Sequence, residues 1–392
     1  MNDFMLTGMR EAMSLLQKDG PIAATAKIQQ TLQGLMPTGA WFGDTEAPGT
    51  AGNTDQAPTA RTEPTAMLGD FVPDLLARLG LEAPFIGTST APHTETAADE
   101  PLHPAGKFLS GTFTNPAGSR TYKLYVPSAF LGPGQEQAQA LPLLVMLHGS
   151  NQSPDDFAAG TRMNAIAEAE PCLVLYPVQS ASANGTRSWN WFNTADQQRD
   201  QGEPAIIAGM TREVIATYGV DERRVYCAGL SAGGAMAAIM AATYPELFAA
   251  IGIHSGLPYA AASDFLSAFS AMNGGGKPTA AGHLKGMPII VFHGDRDDTV
   301  HPCNSDHIMT QSLPHQSLAR HKKGQARAGH GYTRTVHEGP DGQVVAEQWV
   351  VHGAGHAWSG GSPSGSYTDS RGPDASQEMM RFFAAHPKPA RG

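Results

Sequence analysis

Residues 225–236 read Val-Tyr-Cys-Ala-Gly-Leu-Ser-Ala-Gly-Gly-Ala-Met, and this stretch constrains the fold more than any other. An apolar run with a β-branched start meets Gly229-Leu230-Ser231-Ala232-Gly233 and passes directly into an Ala- and Met-rich helical pattern. Strand, sharp turn and helix in that order make an elbow that presents a nucleophile at the end of a sheet. Gly229 and Gly233 have no side chain, so strand and helix can approach closely while the turn lifts the Ser231 hydroxyl clear. A bare Gly-x-Ser-x-Gly match is weak in a chain with 44 glycines; the flanking elements give this one its meaning.

The chain has 392 residues, enough for one large domain plus an additional segment. A formal charge of −10 argues against nucleic acid or an anionic membrane as partner and suits a neutral substrate. Cys172, Cys227 and Cys303 are too few and too scattered for a disulfide framework. The first two lie in apolar strand-like runs, which predicts buried thiols. The N-terminus, Met-Asn-Asp-Phe-Met-Leu, lacks the basic region and uninterrupted apolar core of a secretory leader. The most apolar long window, residues 232–251, is broken by Tyr244-Pro245-Glu246, so no transmembrane segment is expected. The cytoplasm is the expected compartment.

Residues 1–36 carry two amphipathic helical patterns: Met5, Leu6, Met9, Met13 and Leu16, then Ile28, Leu32, Leu35 and Met36 after Gly20-Pro21. Residues 37–105 have the Pro, Gly, Thr and Ala content of a linker, with one short helical piece at Phe71–Leu79. The Met/Leu face of the first helix fits packing on the rest of the chain or self-association. The sharper alternative is docking on a hydrophobic surface such as a polymer granule. From residue 106 to 392 strand and helix alternate. Strands are expected at Tyr122–Val126, Leu143–Leu147, Leu173–Tyr176, Val225–Ala228, Ala250–His254, Pro288–Phe292 and Glu347–Val351. Helices are expected at Asp156–Glu168, Ala205–Tyr218, Ala232–Thr243 and Ala375–Ala385. Such alternation predicts an α/β fold, a mostly parallel sheet flanked by helices, with ligands bound beyond the carboxyl ends of the strands.

A serine hydroxyl needs a base to take its proton and a third group to hold that base. After Ser231 an apolar run ends in His293-Gly294-Asp295-Arg296-Asp297-Asp298, and a later one ends in His352-Gly353-Ala354-Gly355-His356. Both loops sit at strand ends and follow the serine in the order acid, then histidine. Asp295 is close to its strand and suits a turn cap; Asp297 is placed to reach across the face, with Asp298 as runner-up. His352 is also close to its strand, which favours His356. The His352-x-x-x-His356 spacing suits two metal ligands on a helix, but Gly353 and Gly355 oppose a helix and the glutamate of a metalloprotease is missing. No metal and no organic cofactor are therefore expected. Oxyanion donors are assigned to the backbone N–H of Ala232 and, in the loop His148-Gly149-Ser150, of Ser150.

Several segments together resemble the polyhydroxybutyrate depolymerase family of esterases, which includes feruloyl and acetylxylan esterases. They are Leu147-His148-Gly149, Ser188-Trp189-Asn190-Trp191-Phe192, Gly202-Glu203-Pro204-Ala205-Ile206-Ile207, Ala228–Gly234, His293-Gly294-x-x-Asp297-x-x-Val300 and Gly353-x-Gly355-His356-Ala357-Trp358-Ser359-Gly360-Gly361. The resemblance covers about residues 106–385 and implies an α/β-hydrolase fold. It also implies the triad Ser231, Asp297 and His356. Secreted relatives often carry cysteine where this chain has Ser150 and Ser188, a difference that fits a reducing compartment. Relatives that degrade polymer outside the cell append a polymer-binding domain, whereas 36 residues follow His356 here. Trp189, Trp191 and Trp358 suit the walls of a shallow apolar cleft, with burial in the core as the plainer alternative.

These readings converge on a serine esterase acting on a polyester or small ester, foremost poly(3-hydroxybutyrate) or short hydroxyalkanoate oligomers inside the cell. A feruloyl- or acetylxylan-type carbohydrate esterase is the alternative, and an extracellular location, as for many relatives, is the alternative compartment. A granule-binding protein with a vestigial hydrolase domain is a reading of another class; intact positions 231, 297 and 356 argue against it. An acyltransferase on the same three residues differs only in pocket shape.

Overall fold

The computed structural model describes residues 105–130, 140–274, 284, 286–313, 317–327 and 329–389. The expected N-terminal helices and linker lie outside the described residues. Five short runs, β3 (Leu143–Leu147), β4 (Leu173–Pro177), β5 (Val225–Leu230), β6 (Ala250–His254) and β7 (Ile289–Gly294), are buried at every position. Continuous apolar strands of this kind belong in the middle of a parallel sheet covered on both faces. They pair in parallel, β4–β3–β5–β6–β7, and β10 (Val344–Val351) continues the parallel ladder beside β7.

Antiparallel hairpins close both edges. One is β1 (Lys107–Asn115) with β2 (Gly118–Val126), and the other is β8 (Leu318–Gln325) with β9 (Gly331–Glu338). The full order is β1-β2-β4-β3-β5-β6-β7-β10-β9-β8. A separate two-stranded piece pairs β11 (Trp358–Ser359) with β12 (Thr368–Asp369).

Alternate residues of each strand feed two cores. Leu143, Val145 and Leu147 join one, with α3 (Gly202–Tyr218) and α4 (Ala232–Thr243); Leu144 and Met146 join the other. The second core is covered by α1 (Pro154–Thr161), α2 (Met163–Ala169) and α7 (Ala375–Ala384), whose Met379, Phe382 and Phe383 are fully buried. Each such side chain contributes roughly 1.5–3 kcal/mol of hydrophobic stabilisation.

The expected strands and helices are present, with two departures. The helix expected at Asp156–Glu168 is two helices, because Arg162 adopts a left-handed conformation (φ 55°, ψ 21°) between them. From that break its guanidinium reaches Asp374 Oδ2 (2.6 Å), the N-cap of α7, and the Gly360 carbonyl (3.1 Å). Strands β1, β8 and β9 and the helices α5 (Phe265–Met272) and α6 (Cys303–Ser312) were not anticipated. Strand β8, Leu-Ala-Arg-His-Lys-Lys-Gly-Gln, is exposed almost throughout and so has no apolar face for a pattern to reveal. Cys172 and Cys227 are buried free thiols, as expected, and burial pushes the Cys172 thiol up to about 12.

Candidate active site

Ser231 joins β5 to α4 at φ 57°, ψ −119°, a conformation that costs a non-glycine residue about 1–3 kcal/mol and persists only where its surroundings enforce it. The enforcement is visible on both sides. A Cβ on Gly229 would lie 2.3 Å from Gly233 O, and one on Gly233 would lie 2.0 Å from Leu147 O. The strand, the turn and the neighbouring end of β3 therefore meet backbone against backbone. The Ser231 N–H donates to His254 O (2.9 Å), which ties the turn to the end of β6. Ser231 remains partly exposed amid buried neighbours.

The ladder register brings the other two loops to the same edge. Leu230 lies opposite His254, His254 opposite Phe292, and Val351 opposite Gly294. Beyond these ends the loops after β7 and β10 are stitched together by Asp295 N–H to Val351 O (3.1 Å) and Arg296 N–H to Ala354 O (3.0 Å). On this frame His356 Nδ1 donates to Asp297 Oδ2 at 2.8 Å. Asp297 is 3% exposed, and its Oδ1 accepts the N–H groups of Thr299 (3.0 Å) and Val300 (2.8 Å). A second ring, His293, places Nε2 3.3 Å from Oδ2. Burial opposes ionisation here, but His356 and the hydrogen bonds from His293 and His356 outweigh it. They hold the Asp297 carboxyl well below the usual carboxylate range. With Nδ1–H on the carboxylate, Nε2 of His356 carries the lone pair a general base requires.

Asp295 and His352, the competitors within each loop, form a second pair. His352 Nδ1 donates to Asp295 Oδ2 (2.9 Å), while Thr333 Oγ1 engages Nε2 (2.9 Å). Asp295 Oδ1 accepts the Gly353 N–H (2.7 Å). Both His352 nitrogens are thus occupied, and the pair is 45% and 39% exposed, unlike the buried Asp297. Asp298 is exposed.

Of the two expected oxyanion donors, Ala232 follows the serine directly, and Ser150 lies in the loop after β3, whose end pairs with the strand that carries the serine. Ala232 N–H is the first orphan donor of α4, and neither it nor Ser150 N–H has a partner among the described residues. The Ser150 loop is held from behind. Burial pushes the His148 ring down to about 4, so it is neutral; its Nδ1 donates to Gly149 O (2.8 Å) and its Nε2 accepts the Gln179 N–H (3.1 Å). The structure departs from the expected tryptophan cleft. Trp189 and Trp358 are each 1% exposed, with their N–H groups on His148 O (3.0 Å) and Ser376 Oγ (3.0 Å). Both support the site from within the core, because an indole whose nitrogen and faces are satisfied internally has nothing left for a cleft. Trp191 is 6% exposed, packed against Phe192.

Sequence reasoning overlooked His148, Gln179, Glu203, His254 and His293. His254 is stacked between Phe292 and Trp358, its Nε2 accepts the Ser359 N–H (2.9 Å), and burial with the neighbouring His293 and His356 lowers it to about 3. The His-Gly pairs at 148 and 293 and the Glu at 203 were visible as letters; their partners come from distant segments.

A mainly parallel sheet with a serine on the turn after β5, and an Asp–His pair on the loops after β7 and β10, defines the α/β-hydrolase fold. The model of the family described as Esterase PHB depolymerase matches residues 121–336, more than half of the chain, and the chain belongs to that family. It is 32% identical over 260 residues to poly(3-hydroxyalkanoate) depolymerase C of Paucimonas lemoignei, covering 63% of this chain and 60% of that protein. It is 29% identical to probable acetylxylan esterase A of Aspergillus fumigatus, over 49% of this chain and 53% of that one. The chain thus spans between half and two thirds of the length of these two relatives. Among solved structures, an acetyl xylan esterase from Aspergillus awamori superposes with a TM-score of 0.53 at 21% identity, over 71% of this chain and 99% of that one. Among the described residues no helix is long and apolar enough to cross a membrane.

Proposed function

We propose that the protein is a serine esterase that hydrolyses carboxylic esters through an acyl-enzyme on Ser231. The observation that carries this reading is the 2.8 Å hydrogen bond between His356 and a buried Asp297, at the strand ends beside the Ser231 turn. His356 Nε2 takes the Ser231 proton as Oγ attacks the ester carbonyl, and the carboxylate of Asp297 stabilises the imidazolium. The N–H groups of Ser150 and Ala232 receive the oxyanion. The alcohol leaves with the proton from His356, and a water activated by the same ring releases the acid.

The substrate we favour is poly(3-hydroxybutyrate) or short hydroxyalkanoate oligomers, in keeping with the depolymerases among its relatives. The acetylxylan and feruloyl esterases among them support carbohydrate esters as the second reading. Serine at 150 and 188 and three free thiols accord with action in the cytoplasm, with the 106–392 domain catalytic and the Met5/Leu6/Met9/Met13 face docking on a granule or a second copy.

A panel of p-nitrophenyl esters from acetate to octanoate, beside amorphous polymer and feruloyl and acetylxylan esters, tests the substrate. Polymer and butyrate esters should lead. Ser231→Ala should abolish turnover on all of them while leaving the fold intact, and a serine-directed phosphonate should label Ser231. Label on another residue, or full activity of the alanine variant, would defeat the mechanism.

A further inference from the structure

Glu203, in the first turn of α3, is 3% exposed, yet nothing in the mechanism above uses it. Burial and the nearby Asp196 carboxylate push its carboxyl up to about 7, but the groups that hydrogen-bond its two oxygens are all donors. Gln179 Nε2 donates to Oε1, as does Asn190 Nδ2 (2.8 Å); the Asn190 N–H donates to Oε2 (2.8 Å), and the Arg120 guanidinium lies 3.6 Å away. Gln179 is itself saturated, since its Oε1 accepts from Arg120 Nε (3.1 Å) and its Nε2 also donates to Ser188 O (2.9 Å). One buried carboxylate thus joins the segment at 179 to the segment at 189–190.

Those two segments are the ones that grip His148. The Gln179 N–H holds its Nε2 (3.1 Å), and the Trp189 indole N–H holds its carbonyl (3.0 Å). Because Nε2 accepts, the proton must sit on Nδ1, which donates to Gly149 O (2.8 Å). The carbonyl of Gly149 and the N–H of Ser150 belong to one planar trans peptide and point in opposite directions. Fixing Gly149 O toward the His148 ring therefore turns the Ser150 N–H the other way.

We propose that Glu203 is a positioning residue for the oxyanion-binding loop, its carboxylate clamping the two segments that hold His148 and, through that ring, aiming the Ser150 N–H. This rests on the esterase reading and on Ser150 as an oxyanion donor. Glutamine cannot replace Glu203, because its amide nitrogen would face donors with another donor. Removing an oxyanion donor outright costs about 10²–10³ in kcat, so a loosened one should cost roughly tenfold or more.

The test uses the full chain carrying Glu203→Gln, with active molecules counted by phosphonate titration. On p-nitrophenyl butyrate, kcat should fall roughly tenfold or more while KM stays within about twofold. Binding of butylboronic acid, whose tetrahedral serine adduct places an oxygen in the same hole, should weaken by the same factor as kcat/KM. Gln179→Leu, which cuts the same clamp without touching the carboxylate, should repeat the pattern and decides the matter if Glu203→Gln does not fold. Unchanged kcat and boronate affinity per folded molecule, even with a lowered melting temperature, overturn the proposal and leave Glu203 a stabilising group. A wild-type chain that hydrolyses no ester and takes no label at Ser231 overturns the esterase reading instead.

Discussion

Two aspartates two positions apart face two histidines four positions apart, and the protein uses the pairs differently. Asp295 and His352 are solvent-exposed and hold the mouths of their loops together, with Thr333 taking the second imidazole nitrogen. Asp297 is buried and His356 is partly exposed, and of the two histidines His356 alone keeps a nitrogen without a partner among the described residues. Asp297→Asn should therefore lower kcat by about 10⁴, the loss seen for the corresponding change in a serine protease. Asp295→Asn and Asp298→Asn should leave it within a few-fold, as measured by steady-state hydrolysis of p-nitrophenyl butyrate. A larger loss at Asp298 would shift the acid by one residue. The pairing of Asp297 with His356 accords with the reach of Asp297 beyond the strand end, which the sequence displays. The second carboxylate partner, His293, was not legible there, because an imidazole inside an apolar strand shows its partner only when the loop folds back over it.

At the level of elements, the serine elbow depends on backbone contact that no side chain can share. A methyl group on Gly233 would sit 2.0 Å from Leu147 O and 2.6 Å from His148 O, so Gly233→Ala must push α4 away from β3. Overpacking of this kind typically costs about 1–3 kcal/mol. Gly233→Ala should thus lower the melting temperature clearly, whereas Ser231→Ala should not, and calorimetry on both variants separates the two effects. An unchanged melting temperature for Gly233→Ala would mean that the elbow is looser than these contacts imply. The α1–α2 break shows the opposite case. Gly160 weakens the helix just before Arg162, but the left-handed turn there is held by Asp374 and Gly360, about 200 residues away in the chain, and helix periodicity carries no trace of those contacts.

On the scale of the molecule, every residue placed in the candidate site lies between His148 and His356, and Glu203, which bears on it, lies there too. Deleting residues 1–104 should consequently leave hydrolysis of small soluble esters largely unchanged while altering activity on amorphous granules or the oligomeric state, read by turbidity clearing and light scattering. Loss of small-ester activity from a truncated chain that still folds would place that segment at the site and end the docking idea. The parallel core, the serine elbow and the order Ser231, Asp297, His356 were all determined by sequence alone. Buried strands, sharp turns and strand-end loops each leave a short-range signature, in apolar runs, glycines and spacing. Tertiary structure alone decided that Trp189 and Trp358 brace the core, that both His352 nitrogens are occupied while His356 keeps one open, and that Glu203 grips the segments that hold His148. Those outcomes depend on which distant donors and acceptors meet out of water, where each buried polar group must find a partner. Pairings of that kind are made by the fold and have no period for a sequence to display.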